Sequence, residues 1–143
     1  MKKFILAMTM PALFLLVSCD KEKVVNNDDL PAAATSFITT HYPAQAIRQV
    51  VKERDDLKTE YKVYLDNNTK LDFNKDGDIK EIEGTERIPD AILSSLIVTY
   101  VNDNYAPAFI RGWDPGSTNQ EVKLSSGIEL LFDNNGNFLR IDD

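Results

Sequence analysis

The residues of this 143-residue chain best suited to chemistry are acidic and closely spaced. Asp72, Asn74, Asp76, Gly77, Asp78, Ile79 and Glu83 fit positions 1, 3, 5, 6, 7, 8 and 12 of a helix–loop–helix calcium loop. Such a loop alternates oxygen ligands along the chain, turns sharply at its glycine and ends on a Glu that supplies two oxygens. The flanks speak for a different structure. Residues 61–73 alternate apolar and polar as a strand does, and 79–83 are too few for a helix before Gly84. The second half of the chain keeps the glycine but has Leu131 at the first ligand position. A glycine-containing hairpin turn is therefore the reading adopted for this segment. A calcium or small-ligand site built from Asp72, Asn74, Asp76, Asp78 and Glu83 is the alternative.

Other chemistries lack their residues. There is one histidine, His41, and one cysteine, Cys19. No disulfide or Cys/His zinc site can be assembled around a lone member of each kind, and no Ser/His/Asp set can be assembled without using His41. His41 falls at the end of a helical stripe, where a packing or capping role fits it. The six glycines are scattered through turns and form no phosphate-binding loop. A formal charge of −7 and a pI near 4.7 argue against nucleic acid as a partner. The expectation is a non-enzymatic protein without a cofactor.

The N-terminus carries an address. Residues 1–19 read MKKFILAMTMPALFLLVSC, with Lys2 and Lys3 ahead of an apolar run. This is the pattern of a secretory signal, and Pro11 and its short length make it a poor membrane span. Leu16-Val17-Ser18-Cys19 resembles a bacterial lipobox, in which the cysteine is acylated and becomes the mature N-terminus. Residues 1–18 are then a lipoprotein signal peptide, and 19–29 a lipidated Cys19 with a flexible polar tether. The anchor would hold the protein outside the cytoplasm on an envelope membrane, facing the periplasm or the cell surface, without spanning the bilayer. Two lysines and no acid leave with the signal, so the mature chain is more acidic still.

Residues 30–143 are a duplication. Leu30-Pro31 recurs as Ile88-Pro89, Ser36-Phe37-Ile38 as Ser95-Leu96-Ile97, and Ile47-Arg48 as Ile110-Arg111. Val63, Leu65, Leu71, Phe73, Gly77 and Ile82 each recur 59 residues later. An ordered series at constant spacing marks two repeats, 30–84 and 85–143. Each opens with a helix. In the first, Leu30, Ala33, Ala34, Phe37, Ile38, His41 and Tyr42 form one stripe between Pro31 and Pro43. In the second, Ile92, Leu93, Leu96, Ile97, Tyr100 and Val101 do so after Pro89. Strands follow. Residues 47–53 and 109–113 are the first of each set, and period-2 alternation marks the next ones. Turns at 66–68, 76–77, 125–127 and 135–136 separate them. The expected fold is α+β: two tandem repeats, each a helix and a three- to four-stranded antiparallel meander. A unit of about 55 residues buries little alone, so both helices should lie on one face of a shared curved sheet.

This arrangement resembles the PepSY-like secreted proteins, whose fold is similar to that of β-lactamase inhibitory protein. The resemblance rests on the Leu-Pro or Ile-Pro helix start, the Ile-Arg strand and the strands near 61–65, 69–73 and 78–83, all duplicated. It covers residues 30–143 and implies no catalytic residues. It implies binding, with or without inhibition, of a secreted or envelope protein. The sheet face opposite the helices would be the working surface. Tyr64, Arg111 and Trp113 are the candidate anchors there, because Tyr, Trp and Arg dominate protein interfaces; the alternative for Trp113 is that it fills the core.

Cys19→Ala should abolish lipid labelling and release the protein from the membrane fraction. Metabolic labelling with palmitate and fractionation check this, and unchanged membrane association of the variant would refute the anchor.

Overall fold

The computed structural model describes residues 21–142, so the signal segment and Cys19 lie outside the described residues. Among the described residues, nine strands form one antiparallel sheet whose spatial order is the chain order. The first repeat contributes α1 (Ala32–His41), β2 (Ile47–Arg54), β3 (Thr59–Leu65), β4 (Lys70–Asn74) and β5 (Ile79–Glu83). The second contributes α2 (Ser95–Tyr105), β6 (Ile110–Pro115), β7 (Asn119–Leu124), β8 (Glu129–Asp133) and β9 (Phe138–Asp142). Ahead of both runs β1 (Lys21–Val25). The fold is α+β, with one helix and four strands per repeat.

Strand alternation sends one side chain in two toward the helices. Val50, Val63, Leu71, Ile82, Trp113, Val122 and Leu130 sit opposite one another in register and form a continuous apolar row across the sheet. Ala34 and Ile38 of α1 and Ile97 and Val101 of α2 are buried against this face. Each helix also places an aromatic ring edge-on against a buried Phe. Phe37 meets Phe73 at 5.7 Å, and Tyr100 meets Phe132 at 5.6 Å. Phe73 and Phe132 are repeat equivalents, but the rings that meet them are not, since Phe37 aligns with Leu96 and Tyr100 with His41.

The helices begin later than the apolar stripes suggest. Pro31 is the N-cap of α1 rather than its first helical residue. Asp90–Ile92 form a 3-10 turn, and α2 starts only after Ser94, whose Oγ accepts from the Leu96 N–H at 3.3 Å. A serine hydroxyl satisfies an otherwise unpaired helix N–H and so sets the boundary there. Leu93 and Ile88 still reach the core, from non-helical backbone.

The tether expected at 19–29 is corrected over its described part. Residues 21–25 are strand β1, paired with β2 from Lys21↔Arg54 to Val25↔Val50. The segment Lys-Glu-Lys-Val-Val has no apolar alternation to announce a strand. It becomes one because β2 would otherwise present an unpaired edge, and because Glu22 reaches Lys62 at 3.6 Å.

Turn glycines tie the hairpins to the helices. Gly77 has φ +90°, and a Cβ there would lie 2.7 Å from the Ala34 backbone nitrogen. Gly136 has φ +91°, and its Cβ would meet Ser94 Oγ at the same distance. Gly127 shares the positive φ, but its Cβ would meet nothing within 4 Å. Gly127→Ala should therefore cost about 1 kcal/mol, the backbone strain alone. Gly77→Ala should cost clearly more, above about 2 kcal/mol, because a helix backbone must also move. Urea unfolding of the two variants checks the order.

Candidate functional site

The sheet face away from the helices is charged and internally paired. Lys62 bridges Glu53 at 2.6 Å, and Lys70 sits between Asp72 at 3.3 Å and Glu81 at 3.1 Å. Lys123 approaches Glu81 from the second repeat at 3.8 Å. Burial raises the Asp72 carboxyl above its ordinary range even with Lys70 beside it. Burial, followed by the negative charge of Glu129, does the same to Glu121.

One place on this side departs from the paired pattern, at the seam between the repeats. The register slips between Ile47 and Gln49 in β2, and between Ile110 and Gly112 in β6. Each slip is a β-bulge, and the extra residues are Arg48 and Arg111. A bulge bends its strand and re-aims the side chain it carries. Both arginines line the same open recess, of about 350 Å³, together with Tyr64, Thr69, Lys70 and Glu83. Its wall is the chain at Gly84, where an added Cβ would meet Thr69 Oγ1 at 3.1 Å. Arg111 Nη1 donates to the Gly84 carbonyl at 3.3 Å and lies 3.9 Å from Glu83 Oε1. Among the described residues, no carboxylate lies within 4 Å of Arg48. Tyr64 stands at the rim, 38% exposed. Lys70 is already paired with Asp72 and Glu81, so Arg48 and Arg111 are the two cations that share the recess with Glu83, in a chain of net charge −7. Guanidinium groups of this kind suit planar bidentate contact with carboxylates or phosphates.

The structure brings Tyr64 and Arg111 together and leaves Trp113 elsewhere. Trp113 is opposite Ile82 and Val122, on the helix-facing side. Its Nε1 donates to Gln120 Oε1 at 3.0 Å, and Gln120 Nε2 donates to the Asp133 carbonyl at 3.0 Å. The bulge at Arg111 is the reason. It shifts the alternation by one, so Ile110 and Trp113, three residues apart, share a face. Arg48 and Lys70 are additions to the expected set. Ile47 and Val50 also face inward three residues apart, and that spacing is the sequence signal of the first bulge.

The residues with calcium-loop spacing are distributed along a hairpin. Asp72 lies beside Lys70 and opposite Glu81, while Glu83 is opposite Lys70 and Gly112. Asn74 Oδ1 accepts the backbone N–H groups of Asp76 and Asp78, both at 2.9 Å, and Asn74 Nδ2 donates to Asp78 Oδ2. The second repeat closes the same turn with the two side chains exchanged. Asp133 accepts from the N–H groups of Asn135 and Asn137 and from Asn137 Nδ2. Among the described residues, no three His, Cys, Asp or Glu side chains gather as metal ligands do. His41 ends α1 with its ring 4.7 Å from that of Phe37.

A duplicated helix-and-meander unit, merged into one open sheet with both helices on one side, defines a β-lactamase-inhibitor-like class of fold. The chain belongs to the family described as "Putative beta-lactamase-inhibitor-like, PepSY-like", which matches residues 15–68 and 59–140. It is similar to the crystal structure of a "putative calcium-regulated periplasmic protein" of Bacteroides thetaiotaomicron. That pair is 31% identical with a TM-score of 0.81, over 85% of this chain and 97% of the other. A "putative periplasmic protein" of Bacteroides vulgatus is 32% identical with a TM-score of 0.79, over 87% of this chain and 99% of its own. A second protein of that organism, described as periplasmic and of unknown function, is 27% identical with a TM-score of 0.80, over 86% and 100%. Among curated proteins none matches the sequence. The similarity to periplasmic proteins supports an extracytoplasmic location. None of these descriptions names an enzymatic activity.

The two faces predict different behaviour for the two aromatic residues. Trp113→Ala should lower stability by about 3 kcal/mol, since it empties part of the packed inner row. Tyr64→Ala should stay within about 0.5 kcal/mol, as an exposed rim residue. Chemical denaturation of both variants checks this.

Proposed function

We propose that this protein is a lipid-anchored extracytoplasmic binding module whose seam recess grips an acidic segment of a secreted or envelope protein. The observation that carries the reading is the convergence of Arg48 and Arg111 on one recess beside exposed Tyr64. The two bulges occupy equivalent places in the repeats, yet both arginines serve a single site at the junction. In this reading the guanidinium groups hold carboxylates of the partner, and Tyr64 covers the apolar stem of the bound segment. Aromatic and arginine anchors in a recess are the usual source of binding energy at protein interfaces. The paired charges of the surrounding sheet would form a solvated rim that sets orientation rather than affinity. Inhibition follows if the captured segment borders the partner's active site.

A photo-crosslinking residue at position 64, activated in intact cells, tests this. One discrete protein adduct is expected, and Arg48→Ala with Arg111→Ala should weaken its capture by about thirtyfold or more. Circular dichroism should show both variants folded. An adduct that survives the double substitution, or no adduct at all, would overturn the reading.

Calcium binding at the acidic turn is the second reading. It is favoured by the ligand-type spacing over 72–83 and by similarity to a protein described as calcium-regulated. Calorimetric titration with a dissociation constant tighter than about 10 µM, lost in Asp72→Ala and Glu83→Ala, would establish it.

A further inference from the structure

The first edge of the sheet sorts its charges by face. On the side away from the helices, Glu22 is opposite Glu53, and Glu53 is opposite Glu60. Lys62 neutralises this row, at 2.6 Å from Glu53 and 3.6 Å from Glu22. On the other side, Lys21 is opposite Arg54 and Lys23 is opposite Lys52. These four cations line a second open recess, of about 330 Å³, with Val25 and Asp29. Asp29 is the only carboxylate among those lining residues, and its Oδ2 accepts the Asn26 N–H at 3.0 Å. Among the described residues, none of the four cations has a carboxylate within 4 Å. Lys52 Nζ lies instead over the Tyr61 ring, 5.2 Å from its centre.

Like charges directly opposite in a sheet are destabilising, and here two such pairs lie side by side in an acidic protein. Lysines on an edge strand guard against unwanted strand addition. That accounts for Lys21 and Lys23 on β1. It does not account for Lys52 and Arg54, which belong to the second strand. An anionic surface laid against the four cations would offset their mutual repulsion.

We propose that Lys21, Lys23, Lys52 and Arg54 form a docking patch for the phosphate headgroups of an anionic phospholipid membrane. The choice of a membrane rests on the lipid-anchor reading. Lys21 follows Cys19 by two residues, which span at most about 7 Å, well inside the reach of the surface potential. Anchoring at Cys19 therefore brings this edge of the sheet to the headgroup layer. A lipid anchor and a basic patch beside it act together as two membrane signals. The seam recess takes only Arg48 from β2 and is otherwise lined by residues of β3 to β6 and their loops, so it stays free for a partner.

Sedimentation of the full chain with vesicles tests the proposal. One set is pure phosphatidylcholine, and the other contains 30% phosphatidylglycerol. Residues 1–18 are common to every variant, so a comparison between variants isolates the patch. The full chain should partition more tightly onto the phosphatidylglycerol vesicles, with the excess lost in high salt. Lys23→Gln with Lys52→Gln should reduce that excess by about thirtyfold, at roughly fivefold per cation. The double variant should melt no lower than the parent, because it removes a repulsive pair. An excess unchanged in the double variant, or absent in the parent, would overturn the proposal. Saturable binding of inorganic phosphate without a phosphatidylglycerol excess would overturn the membrane and assign the patch to a soluble anion. A phosphatidylglycerol excess with no palmitate labelling of Cys19 would support the patch and refute the anchor.

Discussion

Pairing of β5 with β6 is the constraint on which the rest of this protein depends. Only Ile82↔Trp113 and Glu83↔Gly112 register across it, yet it fuses two units too small to hold a core alone. Through it the apolar row of the first repeat runs into that of the second, and α1 and α2 come to cover one continuous surface. Glycine at 112 is part of the same constraint, since a Cβ there would lie 3.1 Å from the Ile82 carbonyl oxygen. The seam also makes the recess, because it sets the bulge of one repeat beside a hairpin of the other. Fold and candidate site thus have a common origin.

Electrostatics divides this molecule by face and by edge rather than by sequence segment. Acids outnumber bases along the whole chain, but strand alternation sends neighbouring residues of opposite sign to opposite sides. In β1, Lys21 and Lys23 go one way and Glu22 the other. A formally acidic protein therefore carries two basic recesses, one at the seam and one at the first edge. Net charge bears on solubility and argues against a nucleic-acid partner. It is a poor guide to what any one face will bind.

The acidic turn shows how one spacing can serve two chemistries. A calcium loop needs an oxygen ligand at about every second residue and a glycine at the sharpest point, and the hairpin at 72–83 carries that spacing while closing on Asn74 and Asp78 alone. In the hairpin the oxygen of Asn74 or Asp133 folds back onto backbone N–H groups, and the residue four positions on completes the turn. The exchange of Asn and Asp between the repeats is informative. A turn closed by hydrogen bonds needs one acceptor oxygen and one amide, in either order, and is indifferent to which end carries the charge.

The duplication, the helix-then-meander order, the turn glycines and most of the inner row were legible in the sequence, because period and repetition are local properties of the chain. Tyr64 on the outer face followed from the same alternation. Other features were decided only by tertiary structure. Strand β1 exists because β2 offers an edge, and nothing within residues 21–25 announces it. Trp113 faces the core because one bulge residue reverses the parity that alternation assumes. Arg48 and Arg111 line one recess because the seam brings residues 63 positions apart to the same side. Local periodicity says which side of a strand a residue occupies. Pairing, bulges and the closing of a seam decide which residues it shares that side with, and those depend on hydrogen bonds to strands elsewhere in the chain.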